Sequence, residues 1–385
     1  MTPADLRVAL FSGNYNYTRD GANQALNRLV GHLLRQGVAV RVYAPTVAQP
    51  AFPPTGDLVS VPSVRLPVKG RGEYRLPLGL WGPALADLEA FGPNMVHVAS
   101  PDPVAHAAVR WARARGIPVV ASVHTRFETY PRYYKAAFLE PVFEAGLRRF
   151  YNRCDALVAP SQSMVDTLVA QGMGRDVSIW SRGVDREIFN PARRDAGWRR
   201  AHGIGDDQAA VVFLGRLVME KGLDVFAATV GRLREAGVPH AVLVIGDGPA
   251  ASWFRAALPQ AAFAGFQTGE ALGRALASGD IFFNPSVTET FGNVTLEAMA
   301  CALPVVAAGA TGSASLVEDG VTGRLVPPDR PDAFAAALAP YCTDAALRAQ
   351  HGKAGLERAR TYSWDAVNQT VLDTYLRLLD ARRAR

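Results

Sequence analysis

The stretch Ile281–Gly309, IFFNPSVTETFGNVTLEAMACALPVVAAG, constrains the fold more than any other part of the chain. The apolar run Ile281–Phe283 reads as a strand buried on both faces, as strands of parallel sheets are. Asn284, Pro285 and Ser286 end it. A helix is predicted from about Asn293, with Leu296, Met299 and Ala300 on its inner face. Leu303–Ala307 reads as the next strand. Strand, loop, helix and strand in this order make a unit of a doubly wound parallel sheet.

Two carboxylates sit at the loop and helix of this unit. Glu289 falls on the loop and Glu297 in the helix body, with seven residues between them. In a doubly wound sheet, ligands bind outside the carboxyl ends of the strands. The helix start beside Gly292 and Asn293 offers free N–H groups to an anion. One carboxylate can meet a sugar's hydroxyls while the other accepts from a ribose. A solvated surface loop is the plainer reading of two glutamates. The strand–loop–helix setting raises them above it.

The segment SVTETFGNVTLEAMACALPVVA resembles the E-x7-E segment of retaining glycosyltransferases of family 4. That resemblance implies the GT-B fold, an α/β architecture of two doubly wound Rossmann-like domains facing a central cleft. It also implies retention at the anomeric carbon. Within the family, NYNYTRDGANQALNRLVGHLLRQG is similar to the branch acting on lipid acceptors, including sulfoquinovosyl- and glucuronosyl-diacylglycerol synthases and lipid mannosyltransferases.

The 385 residues suffice for two domains of ordinary size. With 49% hydrophobic and 20% charged residues, the composition is that of a globular chain and not a disordered one. Cys154, Cys301 and Cys342 are scattered and give neither a disulfide framework nor a zinc spacing, so a reducing, cytosolic setting is expected. The opening MTPADLRVALFSG lacks the features of a secretory leader, and no apolar run approaches the roughly 20 residues that cross a bilayer. Residues 1–200 hold 25 Lys+Arg against 16 Asp+Glu, whereas residues 201–385 hold 16 against 19. A basic first half suits an anionic membrane surface, nucleic acid or an acidic sugar, or reflects no more than arginine-rich coding.

Leu6–Phe11 reads as a first strand. Gly21 opens a helical pattern carried by Ala25, Leu26, Leu29, Val30 and Leu33, and Val38–Tyr43 follows as a strand. A glycine at this helix start lets phosphate or sugar approach the backbone. The dinucleotide fingerprint GxGxxG is absent. In the family, Asp20-Gly21-Ala22 occupy a glycine-rich loop, which often has two adjacent glycines where this chain has one. Met95–Ala99 and Ile117–Val123 are further strands. His124 follows the latter directly, on the ligand edge of the sheet. A lone histidine is more often structural. The family's corresponding histidine is implicated in donor binding or catalysis.

Residues 127–151, FETYPRYYKAAFLEPVFEAGLRRFY, interleave aromatic and basic side chains. This fits a membrane-interface segment and equally a core helix with a solvated face. The forks of Arg19, Arg126 and Arg132 could bind a carboxylate or sulfonate. Ser181-Arg182-Gly183-Val184-Asp185 resembles the family's N-G-V-D turn at the domain junction, with Arg182 in place of Asn. Residues 186–207 read as a polar linker.

In the second half, Ala209–Leu214 is a strand running into GRLVMEKG. Gly215 allows a tight turn, and Arg216 and Lys221 place two cations at a helix start, as a diphosphate requires. The resemblance extends to this Gly-Arg and Lys-Gly pairing, to the turn Gly246–Pro249 and to residues 261–267, a short strand and loop that in the family often meet the base. Thr311, Gly312 and Ser313 open a further helix start that could touch phosphate. Residues 331–360 read as helical.

The expected domains are 1–190 for the acceptor, with the helix 362–385 packing back on it, and 191–361 for the nucleotide-sugar. Arg216 and Lys221 are expected to take charge from the diphosphate. Glu289, Phe291, Gly292 and Asn293 would hold the sugar, and Glu297 the ribose, while His124 and Gly21 approach the donor. No D-x-D pair of the metal-holding sort is present, so neither a metal nor a cofactor is expected. The expected donor is a UDP-sugar, such as UDP-glucuronate, and the acceptor a membrane lipid, placing the protein peripherally on the inner face of the cytoplasmic membrane. A GDP-mannose-dependent alpha-mannosyltransferase is the alternative. A sugar-nucleotide epimerase or hydrolase and a non-catalytic nucleotide-binding protein stay open. No nucleic-acid motif is seen.

Overall fold

A computed structural model describes residues 2–18, 21–65, 75–124, 137–289 and 291–383. It separates into two units, Met1–Arg182 with Trp364–Arg385, and Gly183–Ser363.

Among the described residues, the first unit is built on a parallel sheet of β1 (Arg7–Phe11), β2 (Ala39–Ala44), β3 (Asp57–Ser60), β6 (Met95–Val98), β7 (Val119–Ser122), β8 (Ala156–Ala159) and β9 (Val177–Ile179). A small antiparallel pair, β4 (Ser63–Arg65) and β5 (Arg75–Pro77), lies outside it. The strand order is β3-β2-β1-β6-β7-β8-β9. β6, β7 and β8 are buried at every position, as predominantly apolar strands in a sheet covered on both faces should be. The helix Gly21–Arg35 buries Ala25, Leu26, Leu29, Val30 and Leu33, the i, i+4 stripe visible in its sequence. The last helix, Trp364–Arg383, inserts Val371, Leu372, Tyr375 and Leu379 into the same core.

The second unit carries a parallel sheet of β10 (Ala210–Leu214), β11 (Ala241–Ile245), β12 (Ala262–Gly265), β13 (Ile281–Asn284), β14 (Val305–Ala308) and β15 (Gly323–Val326). Its order is β12-β11-β10-β13-β14-β15. The order reverses between β10 and β13 here, and between β1 and β6 in the first unit. These are the switch points where doubly wound sheets open a crevice at their carboxyl ends. Two Rossmann-like units were the sequence's expectation, and the structure has them.

The domain limits differ slightly from those read in the sequence. The first break falls after Arg182, not after residue 190, because Val184 and Phe189 are buried in the second unit's core. The return falls after Ser363 because Tyr362 packs on that core and its carbonyl accepts from Val184 N at 3.2 Å. The stretch 331–360 is two helices, Pro331–Thr343 and Ala345–Arg360. Asp344 divides them, its carboxylate accepting from Ala346 N and Leu347 N.

Candidate active site

The loops that follow β10 and β13 converge in the second unit. Lys221 Nζ lies 2.7 Å from Glu289 Oε1, with both side chains partly exposed. The loops also meet through backbone. Gly222 has φ 72°, and a Cβ there would lie 3.2–3.3 Å from Pro285. Thr288 Oγ1 donates to Glu220 O at 3.4 Å. A cation and a carboxylate distant in sequence are thus joined at the switch point of the sheet.

The turn after β11 supports the loop bearing Arg216. Gly215 N donates to Ile245 O at 3.1 Å, Leu217 N to Asp247 O at 2.9 Å and Ala250 N to Leu217 O at 2.9 Å. Gly246 has φ 137°, and a Cβ on it would fall 1.9 Å from Gly215 O. One on Gly248 would fall 2.5 Å from Leu217 O. No side chain fits either place, which is why the segment needs both glycines. The Arg216 side chain stands exposed at the loop.

The helix Asn293–Ala300 starts from Gly292, whose φ of 95° is left-handed. Gly292 O accepts from Thr295 N and Leu296 N. Phe291 is buried, its ring edge-on to Tyr362 at 5.9 Å. Asn293 and Glu297 are partly buried. The short helix Thr311–Leu316 packs on the loop through Gly312, where a Cβ would lie 2.7 Å from Glu289 O and 2.9 Å from Phe291 C. Among the described residues, Ser313 Oγ, beside it, is buried without a hydrogen-bond partner. Gly312 and Ser313 are noticeable in sequence only as another helix start; the packing of Gly312 against Glu289 is a tertiary fact.

In the first unit, Gly21 begins its helix as expected, and His124 follows β7. Burial first, and the Arg182 charge second, push the His124 pKa well below the ordinary histidine value. His97 on β6 is buried between Tyr375 OH, 2.6 Å from Nδ1, and Ser122 Oγ, 2.9 Å from Nε2. Burial lowers its pKa to about 3. At the switch point of this sheet, Ser100 Oγ accepts from Gly13 N at 3.0 Å and donates to Asp102 at 2.6 Å. No sequence motif announces Ser100 or its bond to Asp102. Arg19, Arg126 and Arg132 lie outside the described residues, as does the first part of the aromatic–basic stretch. Its remainder forms a 3-10 turn, Ala137–Leu139, and the helix Glu140–Tyr151. Phe138 is 78% and Val142 66% exposed, an apolar surface toward solvent.

Among the described residues no group of three His, Cys, Asp or Glu is placed to hold a metal, and no helix is long and apolar enough to cross a membrane.

Residues 208–344 match the family model of glycosyl transferases group 1, and residues 19–188 that of Glycosyltransferase Family 4. Over 385 residues the chain is 32% identical to a GDP-mannose-dependent alpha-mannosyltransferase of Mycolicibacterium smegmatis, covering 99% of this chain and 100% of that one. Over 306 residues it is 32% identical to sulfoquinovosyl transferase SQD2 of Arabidopsis thaliana, covering 77% of this chain and 59% of that one. Among solved structures, sucrose-phosphate synthase from Thermosynechococcus elongatus has a TM-score of 0.74 at 19% identity, over 98% of this chain and 100% of that one. That last likeness is one of fold.

Proposed function

Since the chain belongs to the family 4 glycosyltransferases and has their GT-B fold, we propose that it transfers mannose from GDP-mannose, with retention and without a metal, to a lipid acceptor. The observation that carries the site is the 2.7 Å Lys221–Glu289 pair, which joins the two switch-point loops of the second unit. The donor preference moves from the UDP-sugar expected on sequence to GDP-mannose, because relatives matched along nearly the whole chain bear that name.

The chemistry follows from the residues. Departure of the nucleotide leaves negative charge on the diphosphate. Arg216 and Lys221 supply cations there, and the N–H groups at the start of the helix Asn293–Ala300 supply dipoles. Glu289 holds Lys221 and meets the sugar's hydroxyls. Phe291 and Gly292 meet the sugar through backbone groups, and Glu297 accepts from the ribose. In a single displacement, retention requires the acceptor hydroxyl to attack the anomeric carbon from the face the nucleotide leaves, and an oxygen of the departing diphosphate can take the hydroxyl's proton. The opposed carboxylate pair of retaining glycosidases is not part of this scheme. His124 and Gly21, on the ligand edge of the first unit's sheet, are that unit's candidates for contact with the donor. The exposed Phe138 and Val142 favour an apolar acceptor and a peripheral position on a membrane.

A UDP-sugar is the second reading. It is favoured by the match to a sulfoquinovosyl transferase, whose sugar carries a sulfonate of the kind that Arg19, Arg126 and Arg132 would suit. A thermal-shift screen separates the two. A ligand bound at 100 times its Kd stabilises the native state by about 2.7 kcal/mol. GDP and GDP-mannose should raise Tm, and the UDP-sugars should not. A shift with UDP-glucuronate alone would reverse the assignment, and no shift with any nucleotide would refute the site.

A further inference from the structure

Arg182 stands where the family's domain-junction turn carries Asn. It is 4% exposed. Its Nη1 donates to Trp180 O and Ser181 O, each at 3.1 Å. The guanidinium carbon lies 5.1 Å from the centroid of the Trp180 ring. Its Nη2 lies 2.7 Å from His124 Nδ1, and the His124 ring meets Trp180 edge-on at 5.2 Å. Among the described residues no carboxylate pairs with Arg182.

The direction of the Arg182–His124 bond decides the state of the histidine. A guanidinium has donors and no acceptor. Burial lowers the Arg182 pKa to about 10, which leaves the group charged at neutral pH. Nδ1 must therefore accept. A nitrogen that accepts carries no proton, so the single proton of the neutral ring sits on Nε2. Protonating the ring would set N–H against N–H beside a cation.

We infer that Arg182 is a positioning residue that locks His124 as the neutral Nε2–H tautomer, so that His124 serves the transfer as a hydrogen-bond donor and not as a base. The role in transfer rests on the proposed site; the tautomer rests on the Arg182 geometry alone. A donor at Nε2 suits a sugar hydroxyl or a phosphate oxygen, both of which accept. The Asn usual at this turn is shorter and neutral, so the arginine adds a fixed charge to the histidine's surroundings. Among the described residues, the titratable groups facing the ring are Arg182 from the chain after β9 and His97 from β6. His97 is held neutral by burial and bonded to Ser122 and Tyr375, so it adds no charge.

The test is a 15N spectrum of the imidazoles in the full-length protein without substrate. His124 is assigned among the seven histidines by its loss in His124→Asn. The expected pattern has Nδ1 at the unprotonated and Nε2 at the protonated position, unchanged from about pH 8 to 5.5. In Arg182→Met the pattern should become a tautomer mixture that titrates, with kcat down roughly tenfold or more. Arg182→Lys, which keeps a charged donor, should restore part of both. A wild-type spectrum with the proton on Nδ1 overturns the inference, as does an Arg182→Met spectrum identical to wild type. Should Arg182→Met fail to fold, the wild-type spectrum still decides. Full transfer by His124→Asn overturns the donor role. The spectra need no nucleotide, so failure of the GDP-mannose assignment leaves them unaffected and is told apart from failure of the lock.

Discussion

Lys221 and Glu289 are partly exposed, and an ion pair of that kind contributes about 1 kcal/mol or less to stability. The pair is therefore worth little to the fold, whereas a cation placed at a leaving diphosphate is worth several kcal/mol in the transition state. Lys221→Ala and Glu289→Ala should each reduce transfer by about 100-fold or more while Tm moves by only a few degrees. Steady-state kinetics beside a melting curve checks this, and near-normal rates in both variants would remove the site. Gly246→Ala should behave in the opposite way, losing stability and donor binding together, because its Cβ would lie 1.9 Å from Gly215 O. A denaturant titration with the variant's GDP affinity reads both. At this scale the sequence showed which residues carry charge at helix starts. It did not show that Lys221 touches Glu289, 68 positions away, or that Arg182 reaches His124. Those contacts depend on how loops from different strands meet, and no local pattern encodes that.

Elements were legible where burial imposes a period. The mostly apolar β6, β7 and β13, the all-apolar β14 and the stripe of Gly21–Arg35 could be read directly, because sheet and helix bury them in those patterns. The division of 331–360 was missed because alanine-rich sequence continues through it and the cap at Asp344 was overlooked. In the proposed scheme the helix Asn293–Ala300 matters most to the chemistry, since its first turn would present N–H groups to the diphosphate. Its start depends on Gly292 at φ 95°. Gly292→Ala forces a Cβ into the left-handed region at a cost of about 1–2 kcal/mol, and shifts the helix start. Donor affinity should fall about tenfold. Calorimetric titration with GDP measures it, and an unchanged Kd would show that this helix start does not touch the nucleotide.

The whole molecule returns its last helix to the first unit. Val371, Leu372, Tyr375 and Leu379 are at most 5% exposed. Burial of each such side chain is worth about 1.5–3 kcal/mol, so together they rival the 5–15 kcal/mol stability of a typical domain. A chain ending at Ser363 should lose the cooperative unfolding of its first unit in calorimetry, and a retained transition would show that the helix is dispensable. The same unit holds His97 and His124, both with folded pKa values below the unfolded 6.5. Above pH 6.5 both states are neutral and the groups do not matter. Below it the unfolded chain binds protons that the folded chain refuses, so stability falls with pH by about 1.4 kcal/mol per unit for each histidine. The fall continues toward the folded value, about 3 for His97. Melting curves from pH 7.5 to 4.5 should show this decline, and His97→Gln, if folded, should reduce its slope.

The central claim is transfer from a nucleotide-sugar with retention, and product analysis addresses it most directly. The protein is incubated with GDP-mannose and a lipid extract in the presence of a chelator. The mannosylated product is isolated and its anomeric configuration read by NMR. The account predicts an α-mannoside, formed with stoichiometric release of GDP and lost in Lys221→Ala. A β-linked product, or activity abolished by the chelator and restored by a divalent metal, would contradict it.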